Sequence, residues 1–177
     1  MIGNARDAET ILDYSLKAAL FEDMAHEFRA TGAVNLFKAP AMPEGWAELG
    51  RGCYRVAYLS PDNIVYKVEH EYGAGWGQSN YDEYRNILRI VRMNIRMEGV
   101  RLPKATLFQL YGNPVMAMEY VESDGELCDG WSCMHADECD SVTVDMIGRK
   151  FGLQDMHVDN IAYIPKQKEY VLLDLGM

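Results

Sequence analysis

A lysine in the middle of an apolar segment is the feature that most restricts how this chain can fold. Lys67 lies within Val65–Val68, a segment of β-branched and aromatic residues that predicts a strand. An unpaired ammonium is costly to bury, so this side chain either reaches solvent at a sheet edge or finds a carboxylate partner. Glu83, near the start of the next predicted helix, is near enough in sequence to be that partner.

Hydrophobic periodicity predicts an alternation of helices and short strands. The first helix, from Asp7 to about Ala30, carries a broad apolar stripe that packs either on the chain's own core or on another chain. Two further helices are expected, from Ser79 or Asn80 to Met97 and at Val142–Phe151. The expected strands are two or three within Trp46–Val68, followed by Thr106–Tyr111, Val115–Val121, Ile161–Ile164 and Tyr170–Leu173.

Two glycines separate the first predicted strands. At Gly50 and Gly52 the absence of a side chain lets the backbone lie close to a phosphate chain, with its N–H groups turned toward the oxygens. Short Gly-x-Gly segments are also ordinary hairpin turns, so these two residues alone leave both interpretations open.

A dense polar loop follows the last predicted helix. Two carboxylates, an imidazole and a carboxamide lie within six positions, from Asp155 to Asn160. Asp155 can accept a proton from an attacking hydroxyl, and Asn160 can offer a neutral oxygen ligand to a divalent cation. Asp174, 14 residues after Asn160, can bind the same cation. A surface loop with capping residues is the alternative.

In their order along the chain, these segments resemble the motifs of the protein kinase-like superfamily over roughly Trp46 to Gly176. The resemblance implies an α+β fold with a five-stranded antiparallel N-lobe and one helix, preceded by an extra N-terminal helix and followed by a strongly reduced C-lobe. It divides the chain into an N-terminal helical extension and connector (1–45), the N-lobe (46–121), and a linker, helix and catalytic hairpin (122–177).

The resemblance assigns the nucleotide's phosphates to residues of the N-lobe. Gly50 and Gly52 would form the loop that covers the phosphates of ATP. Lys67 would form an ion pair with Glu83, which aims the lysine ammonium at the phosphates. The backbone of Glu119–Val121 would form the hinge that holds the adenine base.

The resemblance assigns the reaction itself to the polar loop and the last strand. Asp155 would be the catalytic base that positions the acceptor hydroxyl, and Asn160 and Asp174 would hold Mg²⁺. The form Asp155-x-His157-x-x-Asn160 is closer to aminoglycoside- and choline-kinase-like branches than to ordinary protein kinases. Because Gln154 replaces the arginine that reads a phosphorylated activation loop, control of that kind is not expected.

The sequence ends at Met177, soon after the last matching motif. The resemblance is therefore to a minimal, truncated form without the activation segment and the helical substrate platform, similar to small kinase-like proteins encoded by bacteriophages. A homodimer or a host protein could supply the missing platform, with the N-terminal helix as the contact.

Four soft ligands lie in the predicted linker. Cys128, Cys133, His135 and Cys139 could hold zinc, although their spacing lacks the Cys-x2-Cys knuckle that is typical of such sites. Unpaired, reduced cysteines are the alternative.

The composition argues against several classes of protein. With 17 Lys and Arg against 27 Asp and Glu, the net charge of −10 disfavours nucleic-acid binding. No apolar segment reaches the roughly 20 residues of a membrane helix, and no secretory signal is visible. A cytoplasmic protein is expected.

Two functions follow from these residues. The first is a kinase that binds ATP and Mg²⁺ and transfers the γ-phosphate to an unknown acceptor, for which a protein is the expected class. The second is a catalytically weak or inactive kinase-fold protein that binds and modulates a host partner. The absence of a recognisable acceptor platform favours the second function, and the presence of all the chemical residues favours the first.

Overall fold

The computed structural model describes residues 1–28, 38–52, 54–69, 79–122, 140–154 and 156–175. Within these ranges the helices are α1 (Ala5–Phe28), α2 (Ser79–Arg92) and α3 (Asp140–Phe151). The strands are β1 (Ala47–Arg51), β2 (Arg55–Leu59), β3 (Ile64–Glu69), β4 (Val100–Arg101), β5 (Ala105–Leu110), β6 (Asn113–Glu119), β7 (Ile161–Ile164) and β8 (Glu169–Leu172). None of the described helices is long and apolar enough to cross a lipid bilayer.

The chain divides into two compact units. The first comprises Met1–Asn80 and Ala105–Met118, and the second comprises Tyr81–Lys104 and Glu119–Met177. Helix α2 begins in the first unit and continues in the second.

The expected five-stranded antiparallel sheet is present, with the strand order β1-β2-β3-β6-β5. The β5–β6 turn falls on Tyr111 and Gly112, which both have positive φ (51° and 86°), while Leu110 pairs with Asn113. Two-residue turns of this kind match the twist of the flanking strands. The turn therefore begins one residue earlier than Gly112–Pro114, where the sequence predicts it.

Helix α1 packs on the chain's own sheet, the first of the two arrangements expected for it. Ala8, Ile11 and Leu12 are buried in one cluster with side chains of β2, β3 and β6. Leu16 and Leu20 are 44% and 60% exposed, so the buried stripe is narrower than the apolar stripe of the sequence.

Helix α1 begins at Ala5 rather than at Asp7. Asn4 precedes it and accepts a hydrogen bond from the Asp7 N–H at 2.9 Å, while the Asn4 amide donates to the Asp7 carboxylate at 2.8 Å. This reciprocal cap satisfies a free N–H of the first turn and extends the helix by two residues.

Asn80, at the start of α2, connects two strands that are distant in sequence. Its side-chain amide is fully buried and donates to the carbonyl of Lys67 on β3 and to the carbonyl of Pro114 on β6, both at 2.9 Å. Its own N–H donates to the Glu69 carboxylate at 2.7 Å. Asn80 therefore fixes the start of α2 to the central strand β3 and to its neighbour β6.

Helix α2 ends at Arg92, five residues before the predicted end at Met97. Asn94 has a φ of 50°, and the Ile95 N–H donates to the Ile90 carbonyl while the Asn94 N–H donates to the Val91 carbonyl. This pair of bonds is the Schellman motif, which ends a helix at a residue in the left-handed region. The prediction was wrong because an asparagine provides this stop where a glycine is usually found.

The second unit contains a three-stranded sheet of order β4-β8-β7. Strands β7 and β8 form the expected hairpin, and β4, which the sequence did not predict, pairs in parallel with β8. Helix α3 buries Val144, Ile147 and Phe151. The Arg89 guanidinium of α2 donates to the Phe151 carbonyl at 2.8 Å.

We expect Asn80→Ala to lower the free energy of unfolding by about 2–4 kcal/mol, because two buried carbonyls lose their donor. Urea denaturation measures this change. Asn113→Ala, which removes a long hydrogen bond of 3.4 Å to the Tyr111 carbonyl, is the control. Equal stability of the two variants would contradict the role of Asn80.

Burial raises the pKa of Tyr58 and of Tyr66 above the ordinary 10.0. Their contribution to stability is fully present below the unfolded pKa and is lost as the pH rises through the folded pKa. We expect unfolding free energies above pH 10.0 to fall less steeply with pH in Tyr58→Phe than in wild type. Tyr54→Phe, at a side chain 45% exposed, is the control. The same slope in all three proteins would refute this expectation.

Candidate functional site

Gly50, Ala57 and Lys67 lie side by side on three neighbouring strands. The register pairs Gly50 with Ala57 and Ala57 with Lys67. Directly paired residues point to the same face of a sheet, and successive residues point to opposite faces. Because Tyr66 belongs to the core beneath α1, Lys67 and its row point to the face that α1 does not cover.

This row of residues leaves room above the sheet at Gly50, two strands away from Lys67. A Cβ placed on Gly50 would meet no atom within 4 Å. The Gly52 N–H, by contrast, donates to the Arg55 carbonyl at 2.9 Å and closes the β1–β2 hairpin. Gly50 therefore leaves open space at the β1 end of the row, and Gly52 uses its amide in the turn.

Arg51, between the two glycines, faces the other way. A bulge between Glu48 and Gly50 shifts the register, so Glu48 and Arg51 share a face although they are three residues apart. The Arg51 guanidinium makes two 3.1 Å hydrogen bonds to Glu48 and lies 3.6 Å from Glu22 of α1. The hydrogen bond to Glu48 raises the pKa of Arg51. Arg51 thus joins the turn to α1 and lies on the face opposite Lys67.

Lys67 is not an edge-strand lysine, so that interpretation of the sequence is wrong. Strand β3 is the central strand of five, and Lys67 is only 8% exposed. Glu83, on α2 in the second unit, is 0% exposed. Both residues are therefore ionisable groups in buried positions, and the ion pair between them stays a prediction.

Asn160 and Asp174, the two predicted metal ligands, lie next to each other in the second unit. The β7–β8 ladder ends with Ile161 opposite Leu172. Beyond it, the Asn160 carbonyl accepts hydrogen bonds from the N–H groups of Leu173 (2.8 Å) and Asp174 (3.2 Å). The hairpin therefore fixes the backbones of the two residues together although they are 14 positions apart.

The chain on both sides of this pair is also held. A 3₁₀ turn at Val158–Asn160 leads into β7, and the Asn160 N–H donates to the His157 carbonyl at 3.0 Å. After Asp174, the Leu175 carbonyl accepts a hydrogen bond of 2.7 Å from the Asn86 side chain of α2. His157 itself is 48% exposed and lies 3.5 Å from the Asp159 carboxylate.

The donor chemistry of Asn160 and Asp174 fits magnesium. A carboxamide oxygen and a carboxylate are hard oxygen ligands, and Mg²⁺ in phosphate-transfer sites is held by one or two such groups plus phosphates and water. Among the described residues, no three His, Cys, Asp or Glu side chains form a group that could hold a metal. The role of these two residues as magnesium ligands stays a prediction.

The predicted hinge starts at a firmly held residue. The Glu119 N–H donates to the Lys104 carbonyl at 3.0 Å, and the Glu119 carboxylate accepts the Lys104 N–H at 2.8 Å. The same carboxylate is paired with Arg101, a residue that the sequence did not single out because its strand is only two residues long. Since the Glu119 N–H is occupied, a base held by the predicted hinge would take its backbone N–H donor from Tyr120 or Val121.

Several predicted site residues lie outside the described residues. They are the catalytic base Asp155, the glycine Gly176 and the four zinc candidates Cys128, Cys133, His135 and Cys139. Their roles stay predictions.

Comparison with known proteins finds similar solved structures but no matching family. No protein-family model matches the sequence, and no curated protein matches it. Among solved structures, the chain is similar to the aminoglycoside phosphotransferase APH(2")-IIia in its complex with GDP and kanamycin, with a TM-score of 0.39 and 16% sequence identity. The match covers 67% of this chain and 39% of that chain, so this chain spans well under half of that enzyme. A similarity this low assigns no function.

A double-mutant cycle tests the predicted ion pair. We expect Lys67→Met and Glu83→Gln to couple by more than about 1 kcal/mol in unfolding free energy, because each single change leaves one buried charge without its partner. Additive effects of the two substitutions would show that the residues do not pair. The exposed pair Asp13 and Lys17, 2.6 Å apart on α1, provides the control cycle.

Proposed function

We propose that this protein is a kinase that binds ATP together with Mg²⁺ and transfers the γ-phosphate to an acceptor hydroxyl. The observation that carries the proposal is the Asn160 carbonyl, which binds the N–H groups of both Leu173 and Asp174. This arrangement brings two oxygen ligands of the kind that magnesium prefers to one end of the β7–β8 hairpin.

The second support is the position of Lys67. Lys67 is buried on the central strand of the sheet, in one row with Ala57 and Gly50, and this row has open space at Gly50. An ammonium in such a place attracts phosphate oxygens more strongly than one in water, because the surrounding dielectric constant is lower. These two sites are the parts that a phosphotransferase needs for positioning and charge stabilisation.

The roles of the residues follow from their chemistry. Lys67 would bind phosphate oxygens, and Asn160 and Asp174 would hold Mg²⁺, which when bound offsets the charge of the phosphates. Asp155 would accept the proton of the acceptor hydroxyl as that oxygen attacks the γ-phosphorus. The bond from the γ-phosphorus to the bridging oxygen breaks, and ADP leaves. We propose a protein as the acceptor class.

Calorimetric titration with ATP in the presence of Mg²⁺ tests the nucleotide half of the proposal. We expect wild type to bind, and Asp174→Asn to bind at least about tenfold more weakly, because a charged ligand of the ion is lost. Asp159→Asn removes an equal charge from a side chain that is 87% exposed and serves as the control. Absence of binding by wild type, or equal binding by Asp174→Asn, would overturn the proposal.

Release or transfer of labelled γ-phosphate from ATP tests the catalytic half. We expect Asp155→Ala to slow this reaction by roughly 10²–10⁴, the usual contribution of a general base. Binding of ATP by wild type without release or transfer of phosphate would contradict the catalytic half. It would favour the alternative, a kinase-fold protein that modulates a partner.

A further inference from the structure

Arg101 lies between two carboxylates from distant segments of the second unit. Its Nη1 donates to the Glu119 carboxylate, and its Nε donates to Oε2 of Glu169 at 2.9 Å. The side chains of Arg101, Glu119 and Glu169 are only 32%, 20% and 29% exposed. Partial burial reduces screening by water and salt, so these pairs are stronger than ordinary surface pairs.

The pair of Arg101 with Glu119, which we call the hinge arm, holds the start of the proposed hinge. Glu119 is the last residue of β6 and the first residue of Glu119–Val121. Its carboxylate is shared between Arg101 and the Lys104 N–H, and its own N–H donates to the Lys104 carbonyl. Arg101 thus adds an ion pair to a hinge residue that is already held by bonds to the Lys104 backbone.

The pair of Arg101 with Glu169, which we call the hairpin arm, holds the hairpin that carries the proposed metal ligands. Glu169 is the first residue of β8, and the same strand leads through Leu173 to Asp174. Strand β4 runs parallel to β8 with Arg101 opposite Val171, and the Tyr170 N–H donates to the Gly99 carbonyl at 2.7 Å. The backbone and the Arg101 side chain therefore attach β8 to the same short strand.

We infer that Arg101 is a positioning residue that couples the segment proposed to bind the adenine base to the hairpin proposed to bind magnesium. The inference rests on the proposed function, since one MgATP molecule would occupy both places. When two contacts belong to one ligand, the spacing of the contacts decides how far each strengthens the other. A guanidinium has Nε and Nη donors in a fixed plane and can bind two carboxylates at once, whereas lysine offers a single point charge.

The experiment measures how much Mg²⁺ strengthens the binding of ATP. Calorimetric titrations with ATP are made in Mg²⁺ and in EDTA for wild type, Arg101→Lys and Arg101→Met. The strengthening factor is the Kd for ATP in EDTA divided by the Kd for ATP in Mg²⁺. We expect this factor to be about tenfold smaller in both variants than in wild type, because Arg101 no longer joins the hinge to the hairpin. Binding of adenosine, which has no phosphates and does not span both places, should change less than binding of ATP with Mg²⁺, because the bonds between Glu119 and the Lys104 backbone remain. A purely structural role for Arg101 would weaken adenosine and ATP alike.

Arg149→Met is the matched control, since it removes a guanidinium that pairs with Asp145 at 2.7 Å on an exposed part of α3. Glu169→Gln keeps the pair with Glu119, removes one charge of the hairpin arm and gives a second test if the Arg101 variants do not fold. An equal strengthening factor in wild type and in the folded Arg101 or Glu169 variants would overturn the inference and leave the proposed function intact. Equal weakening of adenosine and ATP would also overturn it. If wild type does not bind ATP at all, the proposed function fails first.

Discussion

The buried side chain of Asn80 is the interaction on which the arrangement of the first unit depends. Strands β3 and β6 are neighbours in the sheet although β4, β5 and helix α2 lie between them in the sequence. One carboxamide donates to a carbonyl of each strand, and one of these is the carbonyl of Lys67. The backbone at the buried lysine is therefore fixed by the same group that starts α2, and a loss at this position would disturb both.

The two faces of the five-stranded sheet carry different kinds of residues. The face beneath α1 is a hydrophobic core in which Tyr58 and Tyr66 are buried, and Arg51 turns toward it to meet Glu48 and Glu22. The opposite face carries the row that ends in Lys67. This division follows from strand alternation, because a bulge in β1 between Glu48 and Gly50 places Arg51 on the core side and Gly50 in the row with Lys67.

The local sequence pattern was sufficient to predict most helices and strands but not how they pack together. Strands β1 to β3 lie within one residue of the predicted Trp46–Val68 region, and the β5–β6 and β7–β8 hairpins lie within a residue or two of their predicted positions, since alternation and turn residues are local signals. The sequence could not show that β3 is central, so an edge position for Lys67 remained open. It also missed the stop at Asn94 and the two-residue strand β4, which have no periodicity of their own.

In the candidate site too, the sequence predicts the residue types but not which distant residues come together. Asn160 and Asp174 were predicted as ligands by residue type and spacing, but only the register of the hairpin brings their backbones together. The contacts of Arg101 join segments that are 18 and 68 residues away, and no local pattern signals them. Residue chemistry thus predicted the candidates, and the tertiary pairing decides which of them are neighbours.

The most direct test of the proposed magnesium site at Asn160 and Asp174 uses Mn²⁺ in place of Mg²⁺. Paramagnetic Mn²⁺ broadens the NMR signals of nearby amides, so a titration of the isotope-labelled protein with Mn²⁺ and ATP reports where the ion binds. We expect selective broadening at Asn160, Leu173 and Asp174 that requires ATP and is lost in Asp174→Asn. Broadening confined to other acidic residues, or equal broadening in the variant, would contradict it.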